Sequence, residues 1–250
     1  MIDLTTLEAY CDQQLSAADF EDYCPNGVQV EAGVRVQRLM VGVTACQALI
    51  EAGVEWRADL LLVHHGYFWK GEAAAIRGMK GRRIATLLRN GISLIAYHLP
   101  LDAHVLWGNN AQLALRCGFH QPEPSSAGRG LVWQAQLPEP LAAERLGRQL
   151  SERLERQVLH VSGGERGIAR LGWCTGAAQG FIEEAAALGL DAYISGEVSE
   201  ATVHAARELG IHYFAAGHHA TERYGVQALG HHLAERFSLD YRYVEIENPV

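Results

Sequence analysis

The run Asp59-Leu60-Leu61-Leu62-Val63-His64-His65-Gly66 constrains the fold of this chain more than any other stretch. Four consecutive apolar residues, the last of them β-branched, read as a strand buried on both faces, as in a parallel sheet covered by helices. In open α/β sheets, ligands bind just past the carboxyl ends of such strands. His64 and His65 stand at that end, and Gly66 allows the backbone to turn sharply after them. Side chains alternate along a strand, so adjacent histidines face opposite ways unless the chain is already turning. They therefore serve two different metal ions or converge on one through the turn. The plainer alternative is a pair of polar strand-end histidines meeting solvent.

Around this strand the chain reads as alternating helices and strands. A helix over residues 4–15 precedes the turn Tyr23-Cys24-Pro25-Asn26-Gly27. Arg38–Thr44 is a strand, followed by a helix from Ala45. The aromatic segment Tyr67-Phe68-Trp69-Lys70-Gly71 is expected to line a pocket or plug the side of the sheet. Arg77, Lys80, Arg82 and Arg83 form a basic cluster, either a solvated helix start or the place where an acidic protein meets phosphate. A helix over Arg83–Arg89 stops at Asn90-Gly91, and the strand Ile92–Tyr97 runs into His98.

Composition shifts at Gln121–Gly130, a Pro/Ser/Gly-rich linker. Residues 121–168 then read as a small α/β module with no legible chemistry, set between a first half (1–120) and a second half (169–250). In the second half, the strand Asp191–Ile194 ends at Ser195-Gly196-Glu197, and Ile211–Ala216 leads to Gly217-His218-His219-Ala220-Thr221-Glu222.

The two halves follow one plan. Each has a strand, a helix, a second strand opened by an aspartate (Asp59 or Asp191), a helix, and a Gly-Ile-led strand. Each last strand delivers a histidine with a carboxylate four residues on: His98 with Asp102, and His218 with Glu222. The expected fold is α/β, with two similar βαβ-type halves forming one cleft and the small module inserted between them. The cleft would gather His64, His65, Asp102, His218 and Glu222, with His98, His104 and His219 nearby. Mixed imidazole and carboxylate donors suit zinc, manganese or iron and disfavour an all-oxygen calcium site. Five or six ligands are too many for one open catalytic ion and suit two, which together can activate a water and clamp a hydrolytic transition state.

Composition excludes several classes. With 250 residues, 48% of them hydrophobic, the chain has enough apolar material for one large domain or two small ones. A formal charge of −8 argues against a general nucleic-acid surface. The five cysteines are widely spaced with no Cys-x-x-Cys pair, the pattern of reduced thiols in a cytosolic protein. No apolar run approaches membrane-spanning length and the first residues are acidic, so a soluble, cytoplasmic protein is expected.

The ordered motifs PNGVQV, VTACQAL, VHHGYFWKG, YHLPLDAH, GNNAQLA, SGE and GHHATER resemble those of the type 2 homologues of GTP cyclohydrolase I, the Nif-three-like proteins, over nearly the whole chain. The resemblance implies a dinuclear metal centre with His64, His65, Asp102, His218 and Glu222 on the matching ligand positions, and a ring-shaped hexamer. His98 is then a further ligand or a group behind the ligands. Apart from the resemblance, the asymmetry of the two halves, with Ser195-Gly196-Glu197 where the first has His64-His65-Gly66, marks Glu197 for proton transfer or substrate orientation, the alternative being a structural carboxylate. No motif reads guanine and there is no P-loop. The leading expectation is a metal-dependent hydrolase with two divalent ions per chain, acting on a small molecule, GTP or a related nucleotide. The rival is a metal-binding assembly protein without turnover.

Overall fold

The apolar run at Leu60–Val63 becomes an inner strand whose four side chains are fully buried. The computed structural model describes the whole chain, Met1–Val250. From the amino end run β1 (Ile2–Asp3), α1 (Leu4–Leu15), β2 (Gly27–Val30), β3 (Arg35–Val36), β4 (Arg38–Thr44), α2 (Gln47–Trp56), β5 (Leu60–His65), α3 (Gly78–Arg89), β6 (Ser93–Ala96) and α4 (Leu99–Ala103). The chain continues through α5 (Asn109–Cys117), β7 (Glu123–Pro124), β8 (Trp133–Leu141), α6 (Ala143–Leu154), β9 (Leu159–Val161) and β10 (Ile168–Cys174). It closes with α7 (Ile182–Ala187), β11 (Ala192–Ser195), α8 (Glu200–Leu209), β12 (His212–Ala215), α9 (His218–Phe237) and β13 (Asp240–Tyr243). Two compact units divide these elements: Met1–Gly108 with Gly225–Glu247, and Asn109–Tyr224 with Asn248–Val250.

The first unit is built on a five-stranded sheet in the order β13-β4-β5-β6-β2, parallel except for β2. Period-two alternation sorts its side chains between two cores. Leu39, Val41, Leu60, Leu62 and Ile95 meet α1 and the later turns of α9 through Leu4, Leu7, Val226 and Leu229. Met40, Leu61, Val63 and Leu94 meet α2 and α3 through Leu49, Ile50, Ile84 and Leu87.

In the second unit a six-stranded sheet has the order β7-β8-β10-β11-β12-β9. Its parallel centre, β10-β11-β12, repeats β4-β5-β6. One face packs Trp173, Ile194 and Phe214 on Leu146, Leu150 and Leu154 of α6, the leucines that recur every fourth residue. The other packs Tyr193 and Tyr213 with Ile182 of α7 and Ala206 of α8. The strands of residues 121–168 do not form a sheet of their own: β8 pairs antiparallel with β10, and β9 with β12.

The internal repeat extends to individual hydrogen bonds. Asp59 Oδ2 accepts from the amides of Gln37 and Arg38 at 2.8 Å each, pinning the start of β4. Asp191 Oδ2 accepts from the amides of Ala169 and Arg170 at 2.9 Å each, pinning β10 in the same way. Both aspartates open the middle strand of a parallel trio, and both explain why a carboxylate interrupts an otherwise apolar strand edge.

Candidate metal sites at the strand ends

In the first unit, β5 carries His64 and His65 to its carboxyl end with their ring centroids 4.5 Å apart, so the two imidazoles converge. His64 is fully buried. Its Nδ1 donates to the backbone carbonyl of Tyr97 at 2.9 Å, which leaves Nε2 facing Asp102 Oδ1 at 3.5 Å. The Nδ1 of His65 lies 3.2 Å from the Thr44 hydroxyl at the end of β4. Gly66 is required for close approach, because a Cβ there would lie 2.1 Å from Gln29 Oε1, the group that accepts from the Tyr67 amide. The sharp turn expected at this glycine is therefore only half of its role. Tyr67 is buried with its hydroxyl on Ala45 O, while Trp69 stands edge-on to His98 at 5.0 Å.

His98 stands at the N-terminal cap of the short helix α4, and the Asp102 amide donates back to His98 O at 3.1 Å. The four-residue spacing is thus one helical turn. Asp22 accepts from His98 Nδ1 at 2.6 Å and from the Leu99 amide at 2.9 Å. Asn26 donates to Asp22 and accepts from the His98 amide. Burial alone would raise the Asp22 pKa, but the His98 hydrogen bond and charge, with those of Asn26 and Leu99, hold it down at about 2. The side-chain nitrogens of His64, His65 and His98 lie within 4.8 Å of one another, a spacing able to hold an ion.

The second unit repeats the device on α9, which starts at His218 and so places His218 and Glu222 one turn apart. His218 Nδ1 meets Glu197 Oε1 at 2.7 Å, and its Nε2 lies 3.0 Å from Glu222 Oε2. Burial would depress the His218 pKa, yet the hydrogen bonds and charges of Glu222 and Glu197 lift it to about 9. Beneath them lies Gly176, with φ +69°, where a Cβ would come within 2.0 Å of Glu222 Oε1. Asn110 holds this loop, accepting from the Thr175 amide at 3.1 Å and from the Trp173 indole at 3.0 Å.

The basic cluster lies in the first unit on the opening turns of α3, which begins at Gly78, five residues before the expected start. Lys80 is neutralised by Glu72 at 3.2 Å. Arg77 and Arg82 line a surface cavity of about 630 Å³ with Gln47 and Glu51, and Arg83 has its Nε buried without an acceptor. His104 stacks on Trp107 at 4.6 Å, an aromatic role rather than a ligand's. Nothing in the sequence singles out Asp22, Asn26 and Gly176 as members of these sites. The pattern Pro-Asn-Gly is visible, but nothing local ties residue 22 to residue 98.

A family model described as Duf34/NIF3 (NGG1p interacting factor 3) matches residues 2–249. The chain is 56% identical to a "GTP cyclohydrolase 1 type 2 homolog" of Allochromatium vinosum, over 100% of this chain and 98% of that one. It is 53% identical to the protein of the same name in Pseudomonas aeruginosa, over 99% of each. Among solved structures, "Structural genomics, protein ybgI, unknown function" matches with a TM-score of 0.95 at 47% identity, with both chains covered in full. A Thermus thermophilus protein, TTHA1606, matches with a TM-score of 0.90 at 32% identity, again over the whole of both chains. With a family model spanning nearly every residue and relatives above 50% identity end to end, this chain belongs to the Duf34/NIF3 family.

Proposed function

We propose that the chain is a dinuclear-metal-dependent hydrolase, with His64, His65, Asp102, His218 and Glu222 as ligands of two divalent ions (Zn, Mn or Fe). One observation carries the reading. Each unit contains a histidine whose Nδ1 is tied to a protein acceptor and whose Nε2 faces a carboxylate: His64 with Tyr97 O and Asp102, His218 with Glu197 and Glu222. Metal-binding imidazoles are held in this way, their second nitrogen anchored so that the first is aimed. The imidazole and carboxylate donors fit these ions, which when bound supply Lewis acidity for activating water.

The protein's own groups divide the remaining work. Glu197 orients His218 through Nδ1. His98, fixed by Asp22 with Nε2 left available, holds or moves a proton beside His64 and His65. Arg77, Arg82 and Arg83, with Lys80 behind them, are the outer contacts for an anionic substrate, and the names of the relatives point to GTP or a related nucleotide. A homo-oligomer, hexameric by family resemblance, and a reducing cytoplasmic setting complete the reading; no disulfide joins any of the five cysteines. No helix is long and apolar enough to cross a membrane.

Metal analysis of purified protein should approach two ions per chain and fall in His218→Ala and Glu222→Ala. A metal-loaded preparation should release product steadily from a nucleotide or phosphoester panel, and the same variants should abolish this. Full metal retention in both variants refutes the ligand assignment. Metal without turnover of any substrate favours the assembly role.

A further inference from the structure

Several arginines of the second unit have an oxygen partner. Arg116 pairs with Glu155, Arg166 with Asp191, and Arg223 donates to Leu154 O. Arg156 does not. Its side chain is half-buried, its Nε is sealed from solvent without an acceptor, and no carboxylate lies within ion-pairing distance. An Nε–H sealed from water without an acceptor is costly, and this chain carries 29 acidic residues against 21 basic ones.

The position of Arg156 is determined from both sides. Its amide donates to Ser151 O across the left-handed turn at Glu155 that ends α6. Its head lies against Gly217, where a Cβ would fall 1.8 Å from Nη1 and 2.5 Å from Cζ. Gly217 has φ +96° and immediately precedes His218, and its amide donates to Gly196 O in the loop that carries Glu197. A glycine is needed there for its backbone and for the arginine that rests on it.

We propose that Arg156 is an oxyanion-recognition residue beside His218, taking a phosphate or carboxylate group of the substrate. The planar fork of a guanidinium suits such a group better than any other side chain, and both sources present the same paired oxygens. The inference rests on the proposed function only in assigning that oxyanion to the substrate of the His218 site.

The test is calorimetric titration of the full-length protein, metal-loaded and metal-free, with inorganic phosphate, acetate, GTP and guanosine. Arg156→Gln should weaken the preferred oxyanion at least tenfold, the scale of one charge-assisted hydrogen bond, and leave guanosine unaffected. Arg156→Lys, which keeps charge without the fork, should fall between and controls for misfolding of the first variant. Preference for phosphate or for acetate identifies the source. Equal oxyanion affinity in wild type and both variants, including no binding in any, overturns the proposal. Arg156-dependent binding in a protein that takes up no metal overturns the metal reading and leaves this one standing.

Discussion

The pKa of His218 predicts how the metal-free protein responds to alkali. In the folded chain, Glu222 and Glu197 raise this imidazole from 6.5 to about 9, and its side chain is 25% exposed. That rise, at about 1.36 kcal/mol for each tenfold change in proton affinity, is worth roughly 3 kcal/mol at most, and partial solvent screening brings it nearer ~2 kcal/mol. Because the folded pKa lies above the unfolded one, this stabilisation is fully present below pH 6.5 and is lost as pH rises through 9. Urea denaturation of chelator-treated protein between pH 6 and 10 should show that loss, and His218→Asn should remove it. Glu197→Gln should lower the imidazole pKa, read directly by proton NMR, and shift the loss to lower pH. Wild-type and His218→Asn stability curves that run parallel across this range would refute the reasoning. The same proton must leave before Nε2 can bind a metal, so uptake near neutral pH should release protons and strengthen as pH rises.

Gly176→Ala should cost about 1–2 kcal/mol from its φ of +69° and push Glu222 aside, since the new Cβ would sit 2.0 Å from Oε1. Metal content should fall even where the melting temperature is largely kept, and unchanged metal content would refute the contact. His160 Nε2 donates to His212 Nδ1 at 3.1 Å while His212 Nε2 donates to Arg166 O. Burial and the neighbouring His212 lower the His160 pKa, so its contribution is present above pH 6.5 and lost as pH falls below it. Acid unfolding of His160→Asn should show a shallower loss over that window than wild type, and identical slopes would refute the linkage.

The features legible in the sequence are local ones. The apolar run at Leu60–Val63 specifies a strand buried on both faces because covering both faces demands unbroken apolar side chains. The leucines at 146, 150 and 154 specify a one-faced helix, and a histidine followed by a carboxylate four residues on becomes one helical turn at both His98 and His218. Even the aspartates at 59 and 191 could be paired from their place in the repeated plan. Tertiary structure decided everything that depends on distant segments meeting. Asp22 reaches His98 across 76 positions and Asn110 reaches Thr175 across 65, with no periodicity to announce either. The strands of residues 121–168 read as a separate module because composition marks a linker, yet edge hydrogen bonds on β10 and β12 recruit them into the second sheet. Gly66, Gly176 and Gly217 look alike in sequence. Only packing reveals that the first makes room for Gln29, the second for Glu222 and the third for Arg156, because a missing Cβ has meaning only against the atom that takes its place.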